Sequence, residues 1–235
     1  MSTSLPADPP AARSLTGIMP NLIASLRGES GDLAPVRSSI VLVVDGLGAA
    51  NLASRGGHAR FLAPRMGKKD VARTVFPSTT AAALTSLLTA TAPGQHGVVG
   101  YAIRAGKTNS IVNQLRGWET DGLDPLTWQR SEPIFAREAK AGRPCFVVTR
   151  KKYLGTGFST ATIRGAEVVG VDDLRERMDA AAALAAQHPG ALIYLYAPEL
   201  DETGHRNGAE SDEWASALES VDAAVNRLAL AVDGH

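Results

Sequence analysis

Four side chains in this sequence have the types and spacing from which a metal-assisted reaction could be built. Asp45 follows an apolar run, Thr80 lies where a helical pattern begins, and Asp201 and His205 are four residues apart after another apolar run. Carboxylate oxygens and imidazole nitrogens are good zinc ligands at ~2.0–2.2 Å. A hydroxyl at a helix N-terminus lies among N–H groups that favour an anion. These residues indicate chemistry on a phosphate-like group.

The central helix of the chain is predicted within residues 76–101. Ser78 and Thr79 are suited to cap it, and leucines then recur at helical spacing among small residues. The helix is predicted from about Thr80 to Thr89, with Pro93-Gly94 as its stop signal. Taken alone, the same pattern is also typical of an ordinary capped amphipathic helix.

Three apolar runs have the composition of strands that are buried on both faces of a parallel sheet. They are Ser39–Val44, 144–149 and 191–196, and a further strand is predicted at 70–76. Helices are predicted at 171–187 and over the closing segment from Trp214 to Val232. Because ligands bind at the carboxyl ends of such strands, Asp45 is a candidate metal ligand, with an ordinary Asp-Gly turn as the alternative. A glycine-bearing loop would let Asp201 and His205 turn toward one point beyond the end of the strand at 191–196.

Composition restricts the class of protein. The 235 residues are 44% hydrophobic, without an apolar run near eighteen residues, which predicts a domain that does not span a membrane. Lysine and arginine number 24, as do aspartate and glutamate, and neither sign forms a long block. A nucleic acid polymer or an anionic membrane surface is therefore not indicated, and a small-molecule partner is favoured. Oligomeric state is left open.

The chain is predicted to divide into a loose lead-in over residues 1–37, with a short helix near 22–26, and one domain over residues 38–235. The N-terminus is polar and proline-rich without the apolar core of a secretory signal, so a cytoplasmic location is expected. The single cysteine, Cys145, is interpreted as a small buried hydrophobe.

Three other segments leave alternatives open. The residues Gly106-Lys107-Thr108 are typical of the end of a phosphate-binding loop, but Gly100 lies one residue too early to be the first glycine of that motif. Residues 109–128 are either an insertion that shapes substrate access or a packed loop. Arg150-Lys151-Lys152 is either a solvated basic turn or a surface that faces an anionic substrate.

Three of these signals, taken in order, resemble the alkaline phosphatase superfamily, and most of all its nucleotide pyrophosphatase/phosphodiesterase branch. They are the strand ending in Asp45, the Pro77-Ser78-Thr79-Thr80 turn that opens a helix leading to His96-Gly97, and the segment from Asp201 to His205. Residues 89–97 reproduce the branch's T-G-x-x-P-x-x-H-G run, with Ala90 in place of its glycine.

The resemblance implies a fold, a reaction and a set of ligands. The fold would be a three-layer α/β/α arrangement around a mainly parallel sheet. Two zinc ions ~3.5–4 Å apart would clamp a phosphoryl group, one activating Thr80 as nucleophile and the other stabilising the leaving oxygen. Thr79 is the alternative nucleophile. Asp45 and Thr80 would belong to one metal site, and Asp201 and His205 to the other.

The sequence departs from the branch at two points. Tyr101 stands where the branch has an asparagine that contacts the phosphoryl oxygens, so Tyr101 is the candidate substrate-binding residue. The family's later Asp-His pair and distal histidine do not occur before the chain stops at His235, which is considered as a substitute ligand. A C-terminally truncated enzyme that lacks its last strands is therefore expected.

Three functions follow as hypotheses. The first is a metal-dependent hydrolase of phosphodiester or nucleotide pyrophosphate bonds that acts through Thr80. The second keeps the fold and metals but takes phosphomonoesters, phosphonates or sulfate esters. The third is an inactive fragment or a non-catalytic binding module.

Overall fold

A computed structural model gives the structure of the chain and describes residues 13–67, 70–105 and 110–232. The Gly106-Lys107-Thr108 motif and His235 lie outside these described residues. The helices are α1 (Leu15–Leu26), α2 (Ala49–Ser54), α3 (Thr80–Thr89), α4 (Pro93–His96), α5 (Ile134–Lys140), α6 (Gly157–Ile163), α7 (Leu174–Gln187), α8 (Glu199–Asn207) and α9 (Asp212–Val232). The strands are β1 (Ser39–Val44), β2 (Ala102–Arg104), β3 (Ile111–Asn113), β4 (Cys145–Thr149), β5 (Glu167–Gly170) and β6 (Leu192–Ala197).

Four strands form a parallel sheet in the order β1-β6-β4-β5. In the β1–β6 pair, Ser39 is opposite Leu192 and Val44 is opposite Ala197, so both strands end at the same level. Their carboxyl ends therefore lie together at one edge of the sheet. Strands β2 and β3 form a separate antiparallel pair.

Helices cover both faces of the parallel sheet. On one face, α1, α3, α5 and α6 pack against side chains such as Val147 and Tyr194. On the other face, α7 and α9 pack against Val148 and Leu195. This alternation follows from the period of two in a strand, which points successive apolar side chains to opposite faces. The predicted three-layer α/β/α arrangement is confirmed.

Helix α3 is buried on almost all sides, which explains its composition. Small residues such as Ala81 and Ala82 let neighbouring helices approach closely, and Leu88 is 1% exposed. The helix also buries hydroxyl groups. The Thr85 hydroxyl is hydrogen-bonded within the helix, because its Oγ1 donates to the Ala81 carbonyl at 2.7 Å. The helix is thereby held firmly, and its N-terminal residue Thr80 with it.

The predicted strand at residues 70–76 is wrong. This segment forms only an isolated bridge between Arg73 and Ser14, with Leu15 N–H donating to the Arg73 carbonyl at 2.8 Å. Its apolar residues do not face a sheet: Val71 is 47% exposed and Phe76 is 80% exposed. The alternating pattern lacks a neighbouring strand with which to pair, so a bend replaces the predicted ladder.

The helix predicted near residues 22–26 is present but begins earlier in the chain. Helix α1 runs over Leu15–Leu26, and Met19 is fully buried against the core that contains α3. The division of the chain after residue 37 stays a prediction.

Two smaller expectations have mixed outcomes. Cys145 is buried as predicted, and burial raises the pKa of its thiol to about 11. Pro93-Gly94 does not stop α3, because α3 ends at Thr89 and Pro93 begins the short helix α4.

The end of α3 depends on a strained residue. Ala90 has φ 58° and ψ 30°, the left-handed conformation that glycine adopts without steric cost. Glycine is the residue that the resembled motif has at this position. A non-glycine residue in this region costs roughly 1–2 kcal/mol.

We therefore predict that Ala90→Gly stabilises the protein by about 0.5 kcal/mol, because the relieved strain exceeds the greater chain entropy and the lost methyl burial. Urea unfolding measures the change. Ala83→Gly, inside helix α3, is the matched control and should destabilise by about 0.5–1 kcal/mol, because glycine is unfavourable in a helix interior. A destabilising Ala90→Gly would contradict the strain argument.

Candidate active site

Asp45 is held at the end of β1 by both its backbone and its carboxylate. Its N–H donates to the Ala197 carbonyl at 2.9 Å, which continues the β1–β6 ladder by one residue. Its Oδ1 accepts from the Gly46 N–H at 3.0 Å. Its Oδ2 accepts from the Tyr196 hydroxyl at 2.6 Å and from Thr80 Oγ1 at 3.2 Å. The carboxylate is therefore fixed in orientation by three donors.

The turn after Asp45 brings the start of α8 against the end of β1. Asp201 N–H donates to the Asp45 carbonyl at 3.0 Å. Gly46 makes this approach possible, because a Cβ at this position would lie 2.6 Å from the Asp201 nitrogen, and its φ is +81°. A side chain at this position would overlap the Asp201 backbone, and the positive φ is unfavourable for any residue with a Cβ. The turn at Asp45-Gly46 is therefore a close contact between two chain segments.

Thr80 is the first residue of α3, and Thr79 is its N-cap residue. The two hydroxyls differ in surroundings. Thr80 Oγ1 donates to the Asp45 carboxylate, whereas the buried Thr79 Oγ1 has no hydrogen-bond partner among the described residues. The structure thus brings the Thr80 hydroxyl, rather than that of Thr79, to the Asp45 carboxylate at the edge of the sheet.

Asp201 and His205 lie on helix α8 rather than on the predicted loop. The helix is favoured by acidic residues in its first turn, among them Glu199 and Glu202, which interact well with the positive end of the helix dipole. Four residues apart, Asp201 and His205 share one helix face, and His205 Nε2 is 3.5 Å from Asp201 Oδ1. Gly204, which suggested a loop, lies within this helix, where a Cβ in its place would be 3.5 Å from the Trp214 ring.

The electrostatics of the site follow from the closeness of its acids. Burial and then the negative charge of Asp45 raise the pKa of the Asp201 carboxyl above its ordinary value. Burial and then the same charge raise the pKa of Tyr196, so its hydroxyl stays protonated and donates to Asp45. A carboxyl group that lies beside another negative charge favours the approach of a cation.

Glu202 links the site to the basic turn after β4. Arg150 Nη1 is 2.7 Å from Glu202 Oε2, and Lys152 forms a short ion pair with Glu202 Oε1. Burial opposes the ionisation of Glu202, but the hydrogen bonds from Lys152 and Arg150 outweigh it and hold the pKa of Glu202 below its ordinary value. The basic turn is therefore partly paired. Lys152 also lines the open cleft, so both interpretations of this turn keep some support.

His96 is a structural residue rather than a site residue. It is fully buried, its Nδ1 accepts from the Val98 N–H at 3.1 Å, and its Nε2 is 2.8 Å from Ser86 Oγ. Burial lowers the pKa of His96 to about 4, so its imidazole is neutral near pH 7. This histidine holds α4 to α3.

An open cleft of about 1330 Å³ runs over the edge of the sheet. Asp45, Thr80, Asp201 and His205 all line it, and so does Tyr101, which is 47% exposed. The side chains singled out from the sequence therefore share one space. Trp118 of the intervening segment is buried at 2% exposure, which favours a packed loop there.

Sequence reasoning missed Tyr196 as a contributor to this site. Tyr194 and Tyr196 alternate along β6 and so point to the same face as α3, and the period of two could have indicated this. That the Tyr196 hydroxyl reaches Asp45 depends on the pairing of β6 with β1, which local sequence does not specify.

Comparison with known families identifies the chain. The sequence profile of the type I phosphodiesterase/nucleotide pyrophosphatase family matches residues 39–235. The chain belongs to this family. No protein with a curated function matches the sequence.

Solved structures share the fold of this chain. Murine ectonucleotide pyrophosphatase/phosphodiesterase 5, an inactive variant in complex with AMP, has a TM-score of 0.59 and 16% identity over 84% of this chain and 53% of its own. Phosphonoacetate hydrolase from Sinorhizobium meliloti 1021, in complex with phosphonoformate, has a TM-score of 0.57 and 20% identity over 84% of this chain and 53% of its own. The chain spans about half the length of these relatives.

The family implies divalent metal ions, and the site can be tested for its fit to them. Two ligands of one tetrahedral zinc ion lie about 3.3 Å apart when each is ~2.0–2.1 Å from the metal. Thr80 Oγ1 and Asp45 Oδ2 are 3.2 Å apart, and His205 Nε2 and Asp201 Oδ1 are 3.5 Å apart. Each pair fits half of a tetrahedral shell. Within the described ranges, no three or more His, Cys, Asp or Glu side chains are grouped to hold a metal ion.

No helix in the described part of the chain is both long and apolar enough to cross a membrane.

The contact between Gly46 and α8 generates a prediction. Gly46→Ala should destabilise the protein by at least about 2 kcal/mol, because the new methyl overlaps the Asp201 backbone and the left-handed angle is unfavourable. Gly48→Ala is the control: its methyl would meet only the end of the Asn51 side chain, at 3.1 Å. Urea unfolding of both variants measures the difference, and equal stabilities would contradict the proposed junction.

Proposed function

We propose that this chain is a metal-dependent hydrolase of phosphodiester or nucleotide pyrophosphate bonds that uses Thr80 as its nucleophile. The observation that carries the proposal is the hydrogen bond from Thr80 Oγ1 to Asp45 Oδ2, 3.2 Å long, at the N-terminus of α3. Membership of the phosphodiesterase family and the complex of one structural relative with AMP support this class of substrate.

The reaction would proceed in two displacements. Thr80 Oγ attacks the phosphorus opposite the leaving oxygen, so that a new O–P bond forms while the bond to the leaving group breaks. Asp45 Oδ2 accepts the Thr80 hydroxyl proton, and that proton passes to the leaving oxygen as it departs. Water then attacks the phosphorus of the Thr80 adduct, so that a new O–P bond forms while the bond from Thr80 Oγ to phosphorus breaks, and a proton from the water restores the Thr80 hydroxyl. Backbone N–H groups at the start of α3 stabilise the equatorial oxygens.

Asp45 with Thr80 would hold one divalent cation, and Asp201 with His205 would hold a second, both proposed to be zinc. When bound, these cations supply positive charge that lowers the pKa of the Thr80 hydroxyl and offsets the charge that develops on the leaving oxygen. The phenol of Tyr101, which lines the same cleft, would donate to a phosphoryl oxygen where relatives of the branch have an asparagine.

A second candidate keeps this machinery but acts on phosphomonoesters, phosphonates or sulfate esters. It is favoured by the likeness to phosphonoacetate hydrolase and by the tyrosine at position 101. The ratio of rates on bis(4-nitrophenyl) phosphate and 4-nitrophenyl phosphate separates the two candidates, because the first predicts faster hydrolysis of the diester.

The nucleophile can be tested by substitution. Thr80→Ala should lower zinc-dependent hydrolysis of bis(4-nitrophenyl) phosphate by at least about 10³-fold, because it removes the hydroxyl that is proposed to attack phosphorus. Thr80→Ser keeps the hydroxyl and should retain part of the rate. Thr79→Ala is the matched control and should stay near wild type.

Loss of activity in Thr79→Ala with activity kept in Thr80→Ala would overturn the assignment of the nucleophile. A wild-type chain without any turnover would favour the remaining hypothesis, that of a non-catalytic fragment or binding module.

A further inference from the structure

A smaller cavity of about 130 Å³ lies beneath Thr80, between the sheet and helices α3 and α6. Asp45, Thr80 and Asp201 line both this cavity and the open cleft. The two spaces therefore meet at the hydroxyl that is proposed to attack phosphorus. A group attached to that phosphorus could enter the cavity without moving the phosphoryl group away from Thr80.

The cavity interior is uncharged. Its walls are mainly apolar and aromatic, with contributions from Leu84, Leu88, Val147, Phe158, Ile163 and Tyr194. Four charged residues line the cavity, and each of them also lines the open cleft; they are Asp45, Arg116, Asp201 and Glu202. The charges thus lie at the mouth, and an ion that entered further would lose its hydration without a partner.

Polar side chains also line the cavity, among them Tyr194, Ser159 and Thr162. Tyr194 is 4% exposed, so its side chain forms part of a buried wall. The hydroxyls of these side chains distinguish the cavity from a gap between apolar side chains alone, because they give an uncharged group that enters polar atoms to contact.

We propose that this cavity binds the uncharged organic group of the substrate ester, and that this group is a single ring or an alkyl group of similar size. The proposal rests on the proposed function, since it names the substrate class of the same site. Apolar cavities of about 150 Å³ bind benzene, so a space of about 130 Å³ suits one small ring. A nucleoside is too large for it and would have to lie in the open cleft.

The first experiment measures the cavity without any catalysis. 4-Fluorophenol, an uncharged ring with a hydroxyl, is titrated into the metal-free protein and its binding is followed by ¹⁹F NMR. Saturable binding is expected. Val147→Leu adds a methylene on the cavity face of β4 and should weaken binding by about tenfold. Val148→Leu adds the same group on the opposite face of the sheet and should leave binding unchanged.

Absence of saturable binding, or equal weakening by the two substitutions, would overturn the proposal. Thermal unfolding of both variants establishes that they are folded. If 4-fluorophenol binding is sensitive to Val147→Leu while zinc-dependent ester hydrolysis is absent, the cavity assignment stands and the proposed function fails. The two failures are therefore distinguishable.

The second experiment links the cavity to the reacting centre. Phenylphosphonate, methylphosphonate and 1-naphthylphosphonate are compared as inhibitors of ester hydrolysis. Phenylphosphonate should bind at least about tenfold more tightly than methylphosphonate, because only the ring fills the cavity. Phenylphosphonate should also bind more tightly than 1-naphthylphosphonate, which is too large for the cavity. Val147→Leu should remove the difference in affinity between phenylphosphonate and methylphosphonate. Equal inhibition by all three would contradict the proposal.

Discussion

The site depends on one backbone hydrogen bond, from the Asp201 N–H to the Asp45 carbonyl at 3.0 Å. It joins the turn after β1 to the first turn of α8, and it can form only because Gly46 has no side chain there. The parallel register of β1 and β6, in which Val44 is opposite Ala197, brings the two segments to the same level before this bond is made. Two acids far apart in sequence thereby become neighbours.

The remaining side chains are positioned by elements that cannot easily move. Helix α3 is buried on nearly every side, so Thr80 at its start has a fixed relation to the sheet. Tyr196 on β6 fixes the Asp45 carboxylate from below with a 2.6 Å hydrogen bond. A site on such rigid elements is organised before a substrate arrives, which is how electrostatic stabilisation of a transition state becomes effective. The exposed His205 is the least constrained member.

Much of this arrangement could be predicted from sequence, because buried strands and a leucine-patterned helix have strong periodic signals. The strand before Asp45 and the helix from Thr80 are confirmed. Helix α8 was not predicted, because Gly204 suggested a loop; the packing of α8 on α9, with Leu200 and Trp214 in one buried cluster, outweighs the low helix propensity of that glycine. The hydrogen bond from Tyr196 to Asp45 depends on the order of strands in the sheet, which no local pattern encodes.

The central claim is that Thr80, held against Asp45, attacks phosphorus. The most direct test is to quench the zinc-loaded protein with acid during turnover of bis(4-nitrophenyl) phosphate and to map the modified peptides by mass spectrometry. A 4-nitrophenylphosphoryl adduct on Thr80, absent from Thr80→Ala and present in Thr79→Ala, is the predicted result. An adduct on Thr79 or on another residue, or turnover in Thr80→Ala, would contradict the account.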